Sequence, residues 1–186
     1  MNDAELNFLD IAVQYYVAAR SAVIAQLVPV CGNFYHHSIE AFLKAKLSQN
    51  LSLKEVKKKG GKFGHEHPKL WDAFKAEFLS ENLSRFDNTI AAIQRFETLR
   101  YPDNIIMQGA QLSIEWTQMQ PEQPREGGSL PPRYEIVVND LDNLVAKIFE
   151  ISSINPAFFT NRLNAYARDA ITRDNPIGAQ LLKPMS

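Results

Sequence analysis

The segment Asn33 to Leu47, NFYHHSIEAFLKAKL, decides how the chain is read. It predicts one amphipathic helix in which His36, Glu40 and Lys44, four residues apart, line up on one face. Phe34, Ile39, Phe42, Leu43 and Leu47 surround that line with apolar side chains. A charged line on an otherwise apolar helix is either satisfied inside a helical bundle or offered to a ligand.

Working outward, the preceding stretch carries Leu6, Leu9, Val13, Tyr16, Val23 and Leu27 at alternating spacings of three and four, with Arg20 in one slot. That is a seam for antiparallel helix packing, closed by Pro29 and Gly32. Arg20 either snorkels out of the seam or is buried and paired. In an antiparallel hairpin about the Pro29–Gly32 turn, Arg20 and Glu40 come level, so the sequence predicts that these two charges pair as structural groups.

Beyond Leu47, the stretch Ser48 to Lys62 holds Lys54, Lys57, Lys58, Lys59 and Lys62 beside a single acid, Glu55. Ser52 and Glu55 have the spacing of a capping box for a short helix to Lys59. The lysines read as a phosphate-binding patch or as ordinary solvated surface. Pro68 marks the start of a third long helix bearing Leu70, Trp71, Phe74 and Phe78. A fourth, from near Ser84 to Leu99, ends at Arg100-Tyr101-Pro102-Asp103, where Pro102 blocks continuation.

The texture then changes. Leu112, Ile114 and Trp116 alternate as in a strand, and Tyr134 to Val138 forms a second short β-type run. The intervening stretch is rich in Pro, Gln and Gly, which predicts a small β-hairpin insertion over 104–138 around a mobile loop. A helix follows from Asn139 or Asp140, with Leu141, Leu144, Val145 and Ile148 in phase. A last helix is expected from about Pro156 to Arg173, within a C-terminal extension spanning 155–186. The expected fold is mainly α: an up-and-down bundle of four to six helices forming a single domain over 1–186.

Composition bounds the function. Net charge is −1, so no global basic field advertises nucleic acid. Cys31 is the sole cysteine, which excludes an intramolecular disulfide and fits a reducing, cytoplasmic compartment. Asp3 and Glu5 stand where a secretory leader would be basic, and no uncharged apolar run approaches the roughly 18 residues that span a bilayer. The histidines are His36, His37, His65 and His67. Adjacent helical histidines point about 100° apart, so both of a pair cannot easily face one ion. His65-Glu66-His67 lacks the spacer of the zinc-protease motif. No metal ligand and no cofactor is therefore assigned.

Several of these elements, in this order, resemble the HEPN domains. The first helix carries Tyr15-Tyr16-Val17-Ala18-Ala19-Arg20, the second His37-Ser38-Ile39-Glu40-Ala41-Phe42-Leu43-Lys44-Ala45, and the fourth ends in Arg100-Tyr101-Pro102. Gly64-His65 resembles the family's loop histidine. The Arg-Tyr-Pro element is similar to that of the subgroup associated with minimal nucleotidyltransferases. The resemblance implies a helical bundle, often a homodimer, that binds nucleotide or RNA or partners a minimal nucleotidyltransferase in a toxin–antitoxin pair. The aromatic residues Phe34, Tyr35, Phe86 and Phe96 were added to the dimer expectation as a surplus needing burial.

Cleaving members of the family use an Arg followed four to six residues later by His. Here no histidine follows Arg100, and the first after Arg20 is His36. The expectation is a non-catalytic binding module with Arg100, Tyr101, His65, His36 and Lys44 as candidate ligand-binding residues. The alternatives are an RNA-cleaving enzyme with a displaced histidine and a purely structural adaptor.

Overall fold

Asn2 starts the first helix: its side-chain oxygen accepts the Glu5 amide at 2.9 Å, capping α1 (Asp3–Ile24). The computed structural model describes residues 2–62, 64–101, 103, 111–117 and 133–183, without the side chains of Arg100 and Gln111. The seam read from the sequence is buried from Leu9 through Val23, while Leu27, past the helix end, is 51% exposed. Ala12 and Ala19 let α2 (Val30–Leu47) approach closely, and the Ser38 hydroxyl donates to the Ala12 carbonyl at 2.9 Å across the contact. Asn2 also donates to the Ser48 carbonyl at 2.8 Å, so the start of α1 meets the end of α2 and the pair is antiparallel.

α2 is buried almost all round, as a helix in the middle of a bundle must be. It packs against α1, α4 (His67–Glu77), α5 (Asp87–Glu97) and α6 (Val138–Ile151). Between α2 and α4 lies the short α3 (Leu53–Lys59), opened by the expected capping box of Ser52 and Glu55. Pro68 sits in the first turn of α4. Asp87 ties α4 to the start of α5 by accepting from Trp71 Nε1 at 2.7 Å and Lys75 Nζ at 2.9 Å, where the helix dipole also favours a carboxylate. Single 3-10 turns, Ser84–Phe86 and Thr98–Arg100, flank α5.

β1 (Gln111–Glu115) and β2 (Arg133–Val137) pair in parallel, from Gln111 opposite Arg133 to Glu115 opposite Val137. This corrects the expected hairpin. Alternation along a strand reports which residues face the core but not the direction of its neighbour, and a parallel pair needs a long connection. The 116–132 stretch is long enough to supply one. Ile105 to Ala110 and the Pro121 to Pro132 loop lie outside the described residues. β2 runs directly into α6, whose Leu141, Leu144, Val145 and Ile148 are buried as their spacing predicts.

The single helix expected over 156–173 is two: α7 (Ala157–Thr160) and α8 (Ala165–Thr172). Asn164 breaks the run, because its side chain accepts the Ala167 amide at 3.0 Å and caps a new helix. Tyr166, in the first turn of α8, is 87% exposed. A short α9 (Gly178–Leu181) follows. One hydrophobic cluster runs through α1, α2, α4, α5, β2 and α6 and reaches Phe159, Ile171 and Leu181 at the C-terminal end. Among the described residues, no helix is long and apolar enough to cross a membrane.

Arg20 is fully buried, and its partner is not Glu40. Its Nη1 lies 2.9 Å from Asp142 Oδ2 on α6, its Nε donates to the Ala170 carbonyl at 3.0 Å, and its Nη2 donates to the Arg173 carbonyl. Glu40 pairs instead with Lys44. Arg20 and Glu40 share a depth in the α1–α2 hairpin, but the seam of α1 also faces α6 and α8, and Arg20 turns to them. The dimer expectation loses its surplus aromatics too. Tyr35, Phe86 and Phe96 are buried within the chain, leaving only Phe34 partly open.

Arg20→Ala or Asp142→Ala is expected to cost about 3–5 kcal/mol in urea unfolding, because each strands a buried charge; the double variant should cost less than the sum. Gly32→Ala should cost about 1–3 kcal/mol by overpacking. A Cβ there would stand 2.9 Å from Phe96 Cγ and 3.1 Å from Ile136 Cδ1.

Candidate functional site

α2 holds His36, Glu40 and Lys44 in line, and the segment leading into α4 brings His65 and His67 to the same place. The Lys44 ammonium and the His65 ring, whose Nδ1 is at 2.8 Å, both meet Glu40 Oε1. Burial pushes the Glu40 carboxyl up, but Lys44 and His65 together hold it below the usual carboxylate range. Glu40 Oε2 is buried and has no partner.

His36 and His67 stack, with ring centroids 3.9 Å apart and planes 26° from parallel. Burial lowers His36 to about 4, only partly offset by Glu97, whose Oε2 is 3.6 Å from His36 Nε2. Burial, then the neighbouring His36, holds His67 well below the ordinary histidine value. Both rings are therefore neutral at pH 7, each with one N–H and one lone pair. Among the described residues, none of their four ring nitrogens has a hydrogen-bond partner. An unmatched buried polar group costs about 1–3 kcal/mol, so the cluster is expensive for the fold as it stands. One ligand atom from each of His36, Glu40 and His67 lies within 4.8 Å of the others.

His37 turns away and its ring lies 5.2 Å from that of Tyr15, as the 100° step along a helix requires. The main chain fixes the other side of the cluster: the His67 amide donates to Gln94 Oε1 at 2.9 Å, fastening the start of α4 to α5.

Of the residues singled out from the sequence, His36, Glu40, Lys44 and His65 come together. Arg20 serves the α6 contact instead. Tyr101 is 58% exposed, and the Arg100 side chain lies outside the described residues. Sequence reasoning missed His67 and Glu97. His67 precedes Pro68 in the first turn of α4, where a residue still has an inward face, and His67 occupies it fully buried. Glu97 carried no signal beyond its helical phase.

Two concavities border these elements. One of about 250 Å3 between α5 and β2 mixes Arg85 and Arg95 with Glu135 and Asp140, so it favours neither sign of ligand. The other, about 890 Å3 and open to solvent, lies against α3 and is lined by Lys54, Lys57, Lys58 and Lys62 with Glu55. Comparison with known protein families, curated proteins and solved structures finds no match for the chain.

Glu40→Ala is expected to destabilise by about 3 kcal/mol, since it leaves the Lys44 ammonium, whose side chain is only 12% exposed, without its carboxylate. His65→Ala, removing a ring that is 58% exposed, should stay within about 1 kcal/mol. Denaturant midpoints at unchanged m-value would check both.

Proposed function

We propose that this chain is a non-catalytic, HEPN-like binding module that takes a phosphate-bearing ligand, nucleotide or RNA, on the basic face of α3. The observation that carries the reading is the lysine-lined concavity. Lys54, Lys57 and Lys58 are exposed on one short helix, and Lys62 closes the far side. The single acid among them, Glu55, is already committed. Hydrogen bonds from the Ser52 hydroxyl and amide hold its carboxyl below the usual range, so it caps the helix, and its one negative charge is outnumbered by the four lysines. Like charges one turn apart repel, and a phosphate group relieves that repulsion while releasing its own counterions.

With a net charge of −1, the chain as a whole does not attract polyanions, so binding must be local to this face. The HEPN resemblance extends the same reading to a homodimer and to a minimal nucleotidyltransferase as partner. A second reading, RNA cleavage with a displaced histidine, draws on one observation. His36 lies beside Glu97, three residues before Arg100, which puts a histidine one turn from the Arg-Tyr-Pro element.

The test uses ATP and a short single-stranded RNA, titrated at low and high salt. Binding should weaken with salt, and Lys57→Glu/Lys58→Glu should reduce affinity by about tenfold or more. For the RNA it should also flatten the slope of log K against log salt by about 1.4, two phosphate contacts' worth. Unchanged binding in the double variant would sink the α3 site. RNA fragments that disappear in His36→Ala would install the enzyme reading, and neither binding nor cleavage would leave an adaptor.

A further inference from the structure

We infer that His36, Glu40 and His67 form a binding site for one divalent transition-metal ion of the Zn2+ type. Three observations carry this independently of the lysine face. First, one candidate ligand atom from each residue lies within 4.8 Å of the other two. Ligand atoms of a tetrahedral zinc site stand about 3.3 Å apart, and the remaining gap is of a size that ring and carboxylate torsions span.

Second, the would-be ligands are buried and each carries polar atoms without a hydrogen-bond partner among the described residues. His36 is 1% exposed and His67 fully buried, yet their ring nitrogens and Glu40 Oε2 are without partners. Buried polar atoms in folded proteins are nearly always satisfied, and three converging ligand atoms, one from each residue, call for a group that accepts lone pairs from several directions. A cation does this.

Third, the surroundings suit a cation with mixed nitrogen and oxygen ligands. His36 and Glu40 are one helical turn apart on α2, so a single rigid element presents both. Lys44 and His65 grip Glu40 Oε1, while Oε2 has no partner among the described residues. Glu97 Oε2 lies 3.6 Å from His36 Nε2 and adds negative charge beside the cluster. The Glu40 carboxylate is the one anionic ligand of the three. Two imidazoles and a carboxylate favour zinc or cobalt over magnesium or calcium, which take oxygen ligands. Glu97 and His65 are both partly open to solvent, so an ion has a way in.

The experiment titrates chelator-treated full-length chain with Co2+, followed by its visible absorption, and with Zn2+, followed by calorimetry and thermal melting. One ion per chain is expected, with the intense visible bands of four-coordinate cobalt and a higher melting midpoint with zinc. Glu40→Gln and His36→Gln should each weaken uptake by more than about 100-fold, the upper end of what losing even an indirect partner of a ligand costs. His37→Gln should leave it unchanged. Where a variant fails to fold, ring-nitrogen NMR of the wild-type chain decides: zinc should shift the resonances of His36 and His67 and not those of His37. Folded wild-type chain that takes up no stoichiometric ion overturns the inference. So does uptake that survives both variants or shifts only His37.

Discussion

A guanidinium with no exposed surface has to be paired, and the way Arg20 is paired determines how the ends of the chain meet. Moving its charge out of water costs several kcal/mol, which only close partners offset. Asp142 supplies the countercharge, with its second oxygen accepting the Tyr16 hydroxyl at 2.6 Å. Burial pushes the Asp142 carboxyl up to about 6 against the pull of Arg20 and Tyr16, which leaves it ionised at pH 7. The Ala170 and Arg173 carbonyls accept from Nε and Nη2, so the same side chain caps the carboxyl end of α8. Trp116 covers the guanidinium from the strand side, 5.0 Å from its centroid, and Asn175 donates to the Tyr16 hydroxyl at 3.0 Å. One residue on α1 thus specifies where α6, α8 and the end of β1 go. A hydrophobic replacement of the whole network could be as stable, but it would not fix three elements in one register.

The opposite situation holds on α2. Its apolar side chains are satisfied all round, whereas the polar line His36–Glu40–Lys44 is satisfied only at one end. Lys44 and His65 saturate one carboxylate oxygen; the other oxygen and the two stacked rings are left bare. Ordinary packing does not require this. Phe or Leu at position 67 would fill similar space at no desolvation cost. The contrast between a fully satisfied buried charge at Arg20 and an unsatisfied buried cluster at His36 separates a group that serves the fold from groups that the fold merely tolerates.

What was legible in the sequence was local. The period of α1 and α2, the Ser52–Glu55 capping box, the start of α4 at Pro68 and the phase of α6 depend on neighbours within a turn or two, and each stands as read. Failures came where a distant partner decides. The direction of β1 against β2 depends on a connection, not on alternation. The partner of Arg20 is 122 residues away, and no spacing rule reaches that far. The site divides the same way: His36, Glu40 and Lys44 share a helix face and could be grouped from spacing, while His67 and Glu97 join them only because α4 and α5 pack on α2.

The same division bears on the family resemblance. Its pattern residues Arg20, Glu40 and Lys44 are all buried or nearly so, and each has a structural partner. A bundle with this packing would demand such residues whatever it bound, so the pattern speaks to architecture more than to chemistry. The features with unspent chemistry, the α3 lysines and the bare His36–Glu40–His67 atoms, fall mostly outside that pattern. The short segment from Gly60 to His67 lies between them in the chain. That segment connects both features: Lys62 lies in one, and His65 and His67 lie in the other.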